Sequence, residues 1–258
     1  MESSTKKRSP RFAAIIWILI AICLLVSYGP YFMGMWGRWF PSWHSSHLSL
    51  ADRIMEGESY YTHGPLVPII SMFIILLLVR FTKVPTKPAR IFGSFVLIGG
   101  LLLHVASSYA RVNFASGFSL IFVLIGLVLL LWGFGAMRRL WFPILLLCFM
   151  IPMPEVTINN VNFELKMLAT RAGVFLADLA GISVFRNGNV VYLDDGLGVK
   201  KLAVENVCNG LRTLISLLAF GAIYAYVCKL RGLWRIFLLA MTIPVALASN
   251  SLRILTLI

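Results

Sequence analysis

A chain of 258 residues that is 59% hydrophobic and only 13% charged has too much apolar surface for one water-soluble core; ordinary domains carry about 25% charged residues. The class that remains is a membrane protein crossing the bilayer several times. The net charge of +13 does not point to nucleic acid: basic residues sit in short clusters between apolar runs, as orientation signals and headgroup contacts do, and no nucleic-acid motif is present.

In chain order, M-E-S-S-T-K-K-R-S-P-R precedes an apolar stretch at about 12–33. It is too long for a signal-peptide core and has no clear small-residue cleavage site, so it reads as a first span. Runs near 65–81, 92–110, 118–136, 140–153, 210–228 and 233–250 follow, each near the roughly 20 residues a span needs, although 140–153 is short. The stretch 251–258 reads as the beginning of another apolar element. The expected fold is an all-α polytopic membrane protein of about seven to eight transmembrane helices.

Lys6, Lys7, Arg8 and Arg11 place the N-terminus inside by the positive-inside rule. Arg80, Lys83, Lys87 and Arg90 follow the second span, Arg138 and Arg139 the fourth, and Lys229, Arg231 and Arg235 the sixth. Every second loop is thus basic, which puts 154–209 outside together with the end of the seventh span, Asn250 to Arg253. This corresponds to a multi-pass protein of the cytoplasmic (inner) membrane.

The segment 163–180 is helical by pattern, with Glu164, Arg171 and Asp178 recurring every seven residues as a polar stripe. It is expected either to lie flat at the interface or to span with the stripe against the bundle. In the second case the short 140–153 element would be re-entrant. Between this helix and Cys208, I-S-V-F-R-N-G-N-V-V-Y-L carries an N-G-N turn between two strand-like runs, and D-D-G-L-G is a second turn. A small extracytoplasmic hairpin or three-stranded sheet over 182–204 is predicted.

The four cysteines, Cys23, Cys148, Cys208 and Cys228, form no CxxC and no Cys/His cluster, so no metal site or disulfide framework is expected, and no cofactor. Three lie in or at the end of apolar runs, where cysteine acts as a small hydrophobe. Cys208, in V-E-N-V-C-N-G-L-R, stands at the start of a span instead. A helix N-terminus lowers a thiol pKa, and Arg212 one turn on adds positive charge. Asn206 is a candidate helix cap, and Gly210 leaves room for a substrate backbone. The same pattern also suits a small residue at a helix start whose neighbours Glu205, Asn209 and Arg212 serve as cap and headgroup contacts.

Arg253, in A-S-N-S-L-R-I, lies at the outer end of the next span, with Asn250 three residues earlier on the same helical face. A guanidinium there either stabilises an oxyanion or thiolate, or snorkels to headgroups. His63, in Y-Y-T-H-G-P-L-V-P, is a base, a substrate contact or a plain loop histidine in an aromatic belt. The Trp and Tyr residues around 28–61 fit such a belt, and His44, His47 and His104 have no partner spacing.

At these residues the chain resembles the exosortase/archaeosortase family: Y-Y-T-H-G-P-L-V-P (60–68), I-P-M-P-E (151–155), the 182–193 hairpin, V-E-N-V-C-N-G-L-R (204–212) and N-S-L-R-I (250–254) come in that family's order. The resemblance implies a membrane-embedded cysteine protease or transpeptidase. Such an enzyme cleaves Pro-Glu-Pro type C-terminal sorting signals of exported, membrane-tethered proteins and transfers them to a cell-surface or lipid acceptor. Cys208 matches the family's nucleophile and Arg253 its arginine; Asn250, Arg212, Asn209, Glu205 and His63 are expected to bind substrate or support them. The family's third basic residue is on a following helix, and the chain reads as stopping inside that helix at Ile258. The other reading is a non-enzymatic membrane component of exopolysaccharide export or assembly, with Cys208 structural.

Overall fold

The structure is a computed structural model that describes residues 10–40, 60–81, 87–182, 184–188, 190–194, 199–203, 210–228 and 232–256. The helices are α1 (Pro10–Trp39), α2 (Leu66–Phe81), α3 (Arg90–Tyr109), α4 (Asn113–Leu131), α5 (Gly133–Leu146, continued by a 3-10 turn Leu147–Met150), α6 (Glu155–Leu179), α7 (Leu211–Val227) and α8 (Leu233–Leu255). Among the described residues five stretches are long and apolar enough to cross a membrane, Ile18–Trp39, Arg90–Tyr109, Asn113–Leu131, Gly133–Met150 and Leu233–Arg253, and α2 and α7 are shorter apolar helices. The chain is an all-α polytopic membrane protein with one small sheet.

Packing follows the small residues. The helices α3 and α4 form the closest pair because Gly93 and Gly100 of α3 and Gly126 of α4 leave no Cβ at the crossing. A Cβ on Gly126 would lie 2.6 Å from the Leu97 backbone, so small side chains let these backbones approach as they do in membrane bundles generally. Helix α1 turns one stripe inward, Tyr28, Tyr31, Met35 and Trp39, at helical spacing. Tyr28, Tyr31 and Trp39 are therefore core side chains, while Trp36 on the same helix is exposed. Tyr28 stacks on His104 at 3.9 Å and bonds Ser119 at 2.9 Å, while Ser116 Oγ donates to His104 Nδ1 at 2.8 Å and His104 Nε2 donates to the Ser27 carbonyl at 3.2 Å. Because a carbonyl only accepts, the imidazole carries its proton on Nε2.

Three boundaries differ from the sequence expectation. The fifth helix begins at Gly133, where a φ of +78° ends α4 and restarts the chain; Arg138 and Arg139 therefore lie inside a helix and not in a loop. Since Gly133–Met150 is itself a candidate span, it is not the short element expected at 140–153. The stretch 251–255 is no new element but the end of α8, whose hydrogen bonding runs on to Leu255. In α6, Glu164, Arg171 and Asp178 are exposed, and the buried face is Ile158, Asn162, Ala169, Thr170, Gly173 and Ala177. The polar stripe thus turns away from the bundle; the main neighbour of α6 is α8.

The sheet is three-stranded and antiparallel in the order β1 (Val184–Asn187), β2 (Val190–Asp194), β3 (Val199–Ala203). Asn187 pairs with Val190, so the hairpin turns through two residues, with Gly188 at φ +65° as tight hairpins require. Asp194 pairs with Val199; the intervening D-G-L-G lies outside the described residues.

Candidate functional site

Cys208, Glu205 and Asn209 lie outside the described residues, as do Asn206, His44 and His47. The site is therefore built from what flanks them. Helix α7 starts at Leu211 with Gly210 as its N-cap, at φ +76° and with no side-chain capping bond. In sequence Cys208 stands two positions before that cap. Gly210 faces the Asn250 side chain, whose atoms would be 3.2–3.3 Å from a Cβ. The room expected there for a substrate backbone is thus occupied by Asn250, and glycine is required by the left-handed conformation and this contact together.

Asn250 is buried, and Arg253, in the last turn of α8, is exposed. Both have interactions within the fold, as does half-buried Arg212. The start of α7 and the end of α8 therefore meet. The turn at 60–65 joins them: His63 Nδ1 lies 3.2 Å from Ser216 Oγ, one turn and a half into α7. Its Nε2 is buried without a hydrogen-bond partner. Burial pushes the His63 pKa below its ordinary 6.5, against the opposing pull of the Phe149 carbonyl. The imidazole thus sits beside the start of α7, facing Ser216 through Nδ1.

The I-P-M-P-E segment is held at the same end. Tyr61 accepts a hydrogen bond from the Met153 amide at 3.0 Å. Trp39 Nε1 donates to the Met150 carbonyl at 3.2 Å, and Arg38 donates to the Met153 carbonyl and to Glu155 Oε1, both at 3.3 Å. Gly64 lies against the Trp39 indole, where no Cβ would fit. Burial raises the Tyr61 phenol above 10.0, so it stays protonated at neutral pH. Tyr31 adds a second buried polar atom without a partner, its hydroxyl, close to Gly117 and Ile151.

Of the predicted residues, the structure brings Asn250 to Gly210 and His63 to α7, and places Arg212 and Arg253 on the two helix ends that meet. Sequence reading missed Ser216, Tyr61 and Arg38 as partners. Their partners lie 153, 92 and 117 residues away, so no local spacing marks them. Among the described residues no group of His, Cys, Asp or Glu is arranged to hold a metal ion. Cys23 and Cys228 are exposed and Cys148 half-buried, all as free thiols.

A family described as transmembrane exosortase matches residues 54–258. Neither a curated relative nor a solved structure matches the chain.

Proposed function

The chain belongs to the transmembrane exosortase family, and on that premise we propose that it is a cysteine-dependent peptidase or transpeptidase. It cleaves Pro-Glu-Pro type C-terminal sorting signals of exported, membrane-tethered proteins on the extracytoplasmic face of the inner membrane. The Cys208 thiolate attacks the scissile carbonyl, and the Arg253 guanidinium stabilises the resulting oxyanion or the thiolate itself. Collapse of the tetrahedral adduct breaks the C–N bond, leaves a thioester on Cys208, and sends the departing helix away as an amine carrying the proton the thiol gave up. An amine or hydroxyl of a cell-surface or lipid acceptor, or water, then attacks the thioester and restores the thiol. Glu205, Asn209, Arg212, Asn250 and His63 support the thiol or contact the substrate.

The observation that carries this reading is the packing of Gly210 against Asn250. It joins the segment that begins two residues after Cys208 to the turn of α8 that bears Arg253. The test is co-expression with a candidate signal-bearing protein, comparing the chain with its Cys208→Ala variant by intact mass of the product. Loss of cleavage in the variant, and a thioester-linked peptide trapped on Cys208 in the parent, are expected. Normal processing by Cys208→Ala ends the proposal of a Cys208 nucleophile.

A further inference from the structure

A second site lies away from these residues. A cleft of about 320 Å³ runs between α5, α7 and α8, walled by Phe142, Leu145, Leu146, Leu218 and Ala222. Tyr226 stacks on Phe142 at 3.9 Å. Among the described residues the one charged residue on its lining is Arg235, in the first turn of α8. A second groove of about 310 Å³, between α2, α4 and α5, has no charged residue among the described residues that line it and resembles any furrow filled by lipid tails.

Arg235 separates the two. Its Nε is buried and has no hydrogen-bond partner. Arg235 as a whole is half-buried; a guanidinium does not lose its proton in proteins, so its enclosed side is best matched by an anion. None is available from the cleft, because residues 133–150, 211–227 and 233–255 contain no Asp or Glu. Nor is there one anywhere in 59–154 or 206–258. The end of the bundle that carries Arg235 also carries Arg138 and Arg139 in the first turns of α5.

We propose that this cleft is a binding site for an anionic phospholipid, its acyl chain between α5 and α7 and its phosphate on the Arg235 guanidinium. The apolar walls and the half-buried guanidinium on their lining match an amphiphile with one negative head. Basic pockets between transmembrane helices bind anionic headgroups in this way on the positive side of the membrane. The apolar helix of a protein substrate fits less well, since it offers no anion to Arg235.

The full chain, exchanged in detergent against equal amounts of phosphatidylglycerol and phosphatidylcholine with identical acyl chains, should retain phosphatidylglycerol preferentially in native mass spectra. Arg235→Ala should reduce that retention by about fivefold, the factor one arginine contributes near an anionic surface, and Arg139→Ala should not. Ala222→Trp, which fills the cleft and leaves the charge, should abolish the adduct; it decides the matter where Arg235→Ala fails to fold by circular dichroism. Equal retention of the two lipids, an equal loss in Arg139→Ala, or an undiminished adduct in Ala222→Trp would overturn the site. Displacement by inorganic phosphate, or occupation by a peptide in place of lipid, would overturn the assignment to phospholipid.

Discussion

Replacing Gly210 by alanine should weaken the junction of α7 and α8 in two separable ways. At φ +76° an alanine bears about 1–2 kcal/mol of left-handed strain. Its Cβ would also come within 3.2 Å of the Asn250 side chain, and turning that amide off its rotamer costs a further ~0.5–1.5 kcal/mol. Gly188→Ala is the internal control, since its φ is +65° and nothing lies within 4 Å of the added Cβ. It should show the strain alone, and the gain from restricting the unfolded chain is common to both variants. Unfolding in detergent, followed by far-UV circular dichroism during a denaturant titration, gives the two losses. Combining Gly210→Ala with Asn250→Ala in a double-mutant cycle should recover a coupling of ~0.5–1.5 kcal/mol. Equal losses in the two glycine variants, with no coupling in the cycle, would refute the claim that Asn250 seats the start of α7.

Four further outcomes are expected. Gly126→Ala should cost about 1–3 kcal/mol of stability, because its Cβ meets the Leu97 backbone; Gly99→Ala, with open space around it, should instead gain ~0.5–1 kcal/mol from helix propensity, both read from unfolding midpoints. Ser116→Ala removes the hydroxyl that donates to His104 Nδ1 and should cost ~1–3 kcal/mol in the same titration. Burial holds the folded His63 pKa below the unfolded 6.5, so below that pH the unfolded chain takes up a proton that the folded one refuses. Stability present above pH 6.5 is then lost as pH falls toward the folded pKa, and the unfolding midpoint of His63→Gln should vary less with pH over that window. Arg253→Lys should lower signal processing by ~10-fold or more, since an ammonium does not reproduce the guanidinium fork; full activity would mean a point charge suffices.

The bundle was legible because runs such as 92–110 and 118–136 have no alternative to burial in lipid or protein. The boundaries that failed did so for a physical reason. Arg138 and Arg139 look like a loop on any hydropathy scale, but a helix in a membrane accepts charges in its first turns, where they reach the interface. The true break is the backbone conformation at Gly133, which carries no hydropathy signal. At 251–255, Arg253 suggested an end where the backbone hydrogen bonds simply continue. The polar contacts of His104, His63 and Tyr61 were invisible for another reason. Each partner lies elsewhere in the chain, on another helix for His104 and His63 and in the segment before α6 for Tyr61, so the packing of elements and not the spacing along one brings them together.

One part of the candidate site follows from spacing once the direction of two helices is known. Helix α7 ends at Val227 and α8 begins at Leu233. Gly221 faces Thr242, and Gly210 faces Asn250, so the pair is antiparallel, with contacts stepping almost evenly outward from the connection. Asn250 lies as far beyond residue 230 as Gly210 lies before it. Any residue at the start of α7 is therefore carried to the depth of Asn250 by counting alone. Tyr226 and Arg235, close to the connection, line one cleft at the opposite end. A single helical hairpin thus sets both the end that the Cys208 segment precedes in sequence and the end where the half-buried Arg235 lines the cleft. At the Cys208 end the hairpin is closely packed, since a Cβ on Gly210 would come within 3.2 Å of the Asn250 side chain, tighter than ordinary contact.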